Sequence, residues 1–161
     1  MKFSAIIGQN ATKERFLRSA RDGRVSHAQL IAGPEGSGTL PLALAYAQYL
    51  LCSNKQENDS CGTCSSCIRV SKLEHPDLHL SFPIVKEGTK VEKSDDRIAE
   101  FRKVFLEQPY MPLRHFLSEL EEESKRPLIG TEEAGAIIHK LNYKSYEGEY
   151  KILVMWMAEF M

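Results

Sequence analysis

No stretch of this sequence approaches the roughly 18 consecutive apolar residues that a membrane-spanning helix needs. Met1 to Gln9 hold one lysine and a short apolar run, Ala5-Ile6-Ile7, too little for a secretory leader. No membrane partner is therefore expected, and the default setting is cytoplasmic and reducing. Net charge of either sign is also missing: 21 Lys plus Arg face 22 Asp plus Glu, a formal charge of −1. The chain as a whole thus makes no electrostatic case for nucleic acid or for a membrane surface, and such a contact would need a local patch. Cysteine is sparse, four in 161 residues, which excludes a small disulfide-stapled scaffold. Internal repeats and low-complexity tracts are absent. What is present, 42% apolar residues with balanced charge, excludes a mostly disordered chain and suits globular structure.

Apolar spacing and breaker residues predict the elements. A helix from Asn10 or Thr12 to about Asp22 has Asn10 as cap and Phe16, Leu17 and Ala20 as its stripe. Within residues 1–30, Lys2, Lys13, Arg15, Arg18, Arg21 and Arg24 outnumber Glu14 and Asp22, six against two, and a solvated basic face is the expectation. Ala28–Ala32 reads as a strand. Leu42–Leu51, apolar nearly all round, reads as a buried helix, with Pro41 tolerated in its first turn.

A polar loop over 53–63, a short helix over 65–73 and a strand over 78–82 follow. Residues 83–96 suggest an exposed hairpin or loop. Helices are predicted over 98–106, over 113–125 with Glu119, Glu121, Glu122 and Glu123 facing out, and over 131–141 with Thr131 as cap. Ile152–Met157 reads as a buried strand. The chain ends on one of its most apolar stretches, which predicts a fragment of something longer. Strands alternating with helices predict an α/β fold with parallel pairing.

Two motifs carry chemistry. Gly33-Pro34-Glu35-Gly36-Ser37-Gly38-Thr39-Leu40 has the frame of a phosphate-binding loop, a strand before it and a helix after it. Such glycines turn successive N–H groups toward phosphate oxygens at a helix N-terminus. Thr39, however, stands where the phosphate-pairing lysine belongs, and Leu40 where a hydroxyl would ligate Mg²⁺. The expectation is a tight turn that no longer holds nucleotide, with residual phosphate binding through Gly33, Gly36, Ser37, Gly38 and Thr39 as the alternative. The acids that would complete a hydrolysis site are missing as well: Trp156 and Met157 follow the apolar strand where carboxylates are needed.

The second motif is the cysteine cluster. Cys52, Cys61, Cys64 and Cys67 fall within sixteen residues with spacing C-x8-C-x2-C-x2-C. Four thiolates close a tetrahedral zinc site with no open position, which makes it structural. Gly62 gives the turn its freedom, and His27, His75 and His79 are not needed as ligands. An iron–sulfur cluster is the rival, although its runs place the remaining cysteine downstream and before a proline. In His75-Pro76-Asp77, Pro76 fixes a turn and Asp77 satisfies local backbone groups. No nucleophile with a partnered histidine is seen, so no catalytic residue is assigned.

Taken in order, Phe3–Gln9, Ser26–Gly38, the four cysteines, His75-Pro76-Asp77 and Gly148–Ile152 resemble the AAA+ module of bacterial clamp-loader subunits. That family inserts a four-cysteine zinc module after the P-loop helix, and the insertion makes the match specific. The resemblance implies a P-loop NTPase-like parallel sheet with helices on both faces, in which 1–161 is the N-terminal part of an AAA+ domain, 52–67 its zinc module and 83–128 an unassigned insertion. With Thr39, Leu40, Trp156 and Met157 in place of the hydrolytic residues, it implies a non-hydrolysing, stator-like subunit. Such a subunit acts with other clamp-loader subunits, and through them with the sliding clamp and primer–template DNA. The Ser-Arg-Cys motif that supplies an arginine to a neighbour's ATP site does not occur in this sequence. An apolar sheet edge left by absent strands predicts self-association. An active ATPase subunit and a metal or iron–sulfur protein unrelated to replication are the other readings.

Overall fold

Residues 1–161 are described by a computed structural model in which two units form, Met1–His75 and Pro76–Met161. In the first, a 3-10 turn, Phe3–Ala5, precedes helices α1 (Asn10–Arg21), α2 (Thr39–Leu51) and α3 (Ser65–Ser71). The α1 stripe buries Phe16 and Leu17 as the spacing requires. Phe16 stacks on Tyr46 of α2 with ring centroids 4.3 Å apart, and Phe3 lies 6.0 Å from Tyr49. Helix α2 begins at Thr39, earlier than predicted, because Pro41 falls in the first turn, where its missing N–H has no intrahelical acceptor to lose. Asn10 is the first helical residue of α1 rather than its cap, a position taken by Gln9.

The predicted strand Ala28–Ala32 does not form. Its backbone makes no hydrogen bond to another segment, and Leu30 is 84% exposed. An extended apolar segment becomes a strand only beside a neighbour that supplies the ladder, and the chain's sheet has two strands, both elsewhere.

In the second unit, β1 (Leu78–Ser81) and β2 (Ile152–Met155) pair in parallel, with Leu78 opposite Ile152 and Ser81 opposite Met155. Ile152 N–H to Asp77 O and Trp156 N–H to Ser81 O, both 2.8 Å, extend the ladder at each end. Parallel partners need a long crossover, and α4 (Ile98–Glu107), α5 (Leu113–Glu119) and α6 (Thr131–Asn142) lie within it. The core is aromatic: Phe82 stacks on Phe101 at 4.1 Å, Phe116 meets both rings edge-on at 5.5 Å, and Trp156 sits 5.8 Å from Phe101.

Three local expectations are corrected in this unit. Helix α5 ends at Glu119 because Glu121 takes the left-handed conformation, φ 57°. Glu121 N–H to Ser118 O and Glu122 N–H to Leu117 O close a Schellman cap. That reversal turns Glu122 inward: it is 2% exposed, with Oε1 3.3 Å from Arg97 Nη2. Gly130, not Thr131, occupies the α6 cap position. Finally, the 83–96 stretch is only partly an exposed hairpin. Glu87 and Val91 bridge, but Pro83–Val85 are buried and Ile84 pairs with Leu128. Glu133, in the first turn of α6, is buried and accepts from the Ser94 N–H at 2.7 Å and hydroxyl at 2.6 Å.

His79 on β1 has a testable consequence. Burial first, then Lys140 and Lys151, hold its pKa below 6.5, with Asp95 and Asp77 opposing. The unfolded chain therefore takes up this proton at a higher pH than the folded one. The stabilisation is fully present above pH 6.5 and is lost as pH falls toward the depressed value. Denaturant midpoints of the second unit should fall on acidification from pH 7.5 to pH 5.5, with a shallower slope in His79→Gln.

Candidate metal centre and glycine-rich turn

Each cysteine is placed by a specific piece of backbone. Cys52 is the C-terminal cap residue of α2, Cys64 caps the N-terminus of α3 by accepting the Cys67 N–H, and Cys67 lies in the first turn of α3. Cys61 sits before Gly62, whose φ of 79° lets the chain reverse between ligands. No disulfide joins them. The sulfurs of Cys52 and Cys61 are 3.6 Å apart, those of Cys52 and Cys64 4.0 Å, and those of Cys61 and Cys67 3.9 Å. All four Sγ atoms lie within 4.8 Å of one another. A tetrahedron with metal–sulfur bonds of about 2.3 Å has an edge of about 3.8 Å, whereas a disulfide needs about 2.05 Å. The cluster fits a four-thiolate metal.

The surrounding N–H groups favour the charged form that a metal needs. The N–H groups of Thr63 and Cys64 point at the Cys61 sulfur at 3.4 and 3.3 Å, and hold its pKa below the usual thiol range. Burial raises Cys64, but hydrogen bonds from Ser53 and from the Cys67 N–H outweigh it and bring it to about 5. Burial pushes the Cys52 and Cys67 thiols up. The histidines near in sequence do not join the four sulfurs.

Sequence reasoning missed Asp59, in a run read only as polar loop. Its carboxylate accepts the N–H groups of Phe3, Ser4 and Ser60 at 3.0, 3.0 and 2.8 Å. Burial pushes its pKa up, yet these donors prevail and hold it below the usual carboxylate range. Asp77 also does more than expected. It accepts the N–H groups of Tyr146, Glu147 and Gly148 at 2.5, 3.0 and 2.9 Å. The only signal for either role is a short acid next to a turn.

The glycine-rich turn lies at the N-terminus of α2. Gly36 and Gly38 have φ of 78° and 87°. Gly33 lies close under Ser37: a Cβ there would stand 2.6 Å from Ser37 Oγ, which would have to rotate away. Ser37 Oγ itself has no hydrogen-bond partner. Thr39 opens the helix, and Leu40 points into the core. In the second unit, Trp156 is buried among Phe101 and Phe116, and Met157 takes a left-handed turn. No helix is long and apolar enough to cross a membrane.

DNA polymerase III subunit delta' of Bacillus subtilis (strain 168) is 35% identical over 91 residues, 55% of this chain and 26% of that protein. The subunit delta' of Escherichia coli (strain K12) is 37% identical over 70 residues, 44% of this chain and 21% of that protein. DNA polymerase III subunit gamma/tau of Mycobacterium tuberculosis (strain ATCC 25618 / H37Rv) is 30% identical over 69 residues, 43% of this chain and 12% of that protein. The aligned segments thus span about a quarter or less of these relatives. The profile of the family described as "DNA polymerase III, delta subunit" matches residues 8–161, nearly the whole chain, and the chain belongs to that family.

Proposed function

We propose that this chain is the N-terminal part of the AAA+ domain of a delta-prime-type clamp-loader subunit, and that it serves as a non-hydrolysing stator. The observation that carries the reading is the fate of the hydrolytic positions. Leu40 and Trp156, where a magnesium-binding hydroxyl and a carboxylate would have to reach a nucleotide, are both core side chains. A glycine frame without its lysine, hydroxyl and acids retains shape but no means of stabilising transferred charge. Residues 52–67 are the structural zinc module of this domain and 83–128 its insertion. The partners are other clamp-loader subunits, and through them the sliding clamp and primer–template DNA, in the cytoplasm. Leu30 and Ile7 in the first unit, and Ile138, Leu141, Tyr143 and Tyr146 in the second, are exposed apolar side chains suited to such partners or to self-association.

Two measurements test the reading. With ATP and Mg²⁺ the purified chain is expected to show no turnover above a buffer blank; sustained hydrolysis would establish the active-ATPase alternative. Metal analysis is expected to give one zinc per chain and a colourless protein, whereas iron with visible absorbance would establish the iron–sulfur alternative.

A further inference from the structure

The N-terminal arm, Met1–Ile6, is held to the cysteine module as well as to α1, whose Lys13 Nζ donates to Ile6 O at 2.6 Å. Asp59, two residues before Cys61, accepts the arm's Phe3 and Ser4 N–H groups and the Ser60 N–H. Ser60 is fully buried and receives the Gln48 side-chain amide at 2.8 Å; the Oε1 of Gln48 in turn accepts the Met1 amine. The Lys2 side chain lies over Gly62, between the second and third ligands, at 3.2 Å from where a Cβ would stand. Phe3 packs on Tyr46 and Tyr49 of α2, the helix that ends on Cys52. The Phe3 and Ser4 N–H groups thus depend on a carboxylate that borders the turn a bound metal would fix.

We propose that Asp59 is a positioning residue that ties the arm to the metal module, so that metal occupancy and arm order form one linked equilibrium. Metal on the four thiolates fixes the Asp59–Gly62 turn, which presents the carboxylate to Phe3 and Ser4. By reciprocity, an ordered arm slows the opening through which the metal leaves. The inference rests on the metal reading.

Hydrogen exchange and zinc release to a chromophoric chelator test it on the whole chain. In zinc-loaded Asp59→Asn, the Phe3 and Ser4 amides should exchange about 10-fold faster while α2 amides keep their rates, and zinc should leave about 10-fold faster than from the wild type. Without any variant, protection at Phe3 and Ser4 should rise with added zinc in parallel with that at Cys64 and Cys67. Zinc release at the wild-type rate, an arm whose exchange ignores zinc, or a loss of protection shared equally by α2 would each overturn the linkage. A wild-type chain that binds no zinc would remove the metal reading itself, a result separable from all three.

Discussion

Cys67→Ser is expected to bring zinc from one equivalent per chain to less than about a tenth, and to lower the melting temperature of the first unit by at least about 15 °C. Cys67 is the ligand to choose because it is buried in the first turn of α3, where serine preserves the helix and nearly preserves the volume. Three thiolates leave an open position, and a structural site depends on being closed. The stability effect follows from mass action: a metal held at about 1,000 times its dissociation constant stabilises the folded state by about 4 kcal/mol. For a unit of this size each kcal/mol is worth roughly 4–8 °C. The same experiment in excess chelator supplies the control. There the two proteins should melt within a few degrees of each other, because the wild type has lost the same contribution. A difference that persists in chelator would mean that the serine disturbs packing. Full zinc content in the variant would mean that Cys67 is not a ligand.

The cluster was legible in the sequence because its signal is local. Four cysteines within sixteen residues constrain one another whatever the rest of the chain does. Helices α1 and α4 were legible for a related reason, since a 3.6-residue apolar period survives in any tertiary setting that buries one face, and α2 stood out as an unbroken apolar run of helix formers. The failures are those of long-range pairing. Ala28–Ala32 has strand composition, but composition cannot announce whether a neighbour strand lies beside it. The inward Glu122 depends on a left-handed residue at Glu121, which an unremarkable run of glutamates conceals. Asp59 and Asp77 each satisfy backbone groups more than fifty residues away, a partnership that no local pattern encodes.

Asp77→Asn is the substitution in the second unit expected to cost most for the least change in shape. Asp77 is fully buried, and its two oxygens take three backbone N–H groups from Tyr146, Glu147 and Gly148. Asparagine keeps the volume and one acceptor oxygen, but it turns an amide N–H₂ toward at least one of those donors. Hydrogen bonds to a charged group contribute about 1.5–3 kcal/mol each at the upper end, and a buried donor left unpaired adds its own cost. A loss of about 3 kcal/mol is therefore expected, or roughly 10–20 °C in melting temperature for this unit. The damage should also have a place. The Asp77 carbonyl receives the Ile152 N–H, and the 146–148 loop leads directly into β2, so one residue fixes both the loop and the register of the parallel pair. Hydrogen exchange in the variant should accordingly rise first at Tyr146–Gly148 and at Ile152, before α4 changes. A variant that melts within 2 °C of the wild type, or that loosens α4 and the loop together, would show that the carboxylate fills space rather than anchoring the strand.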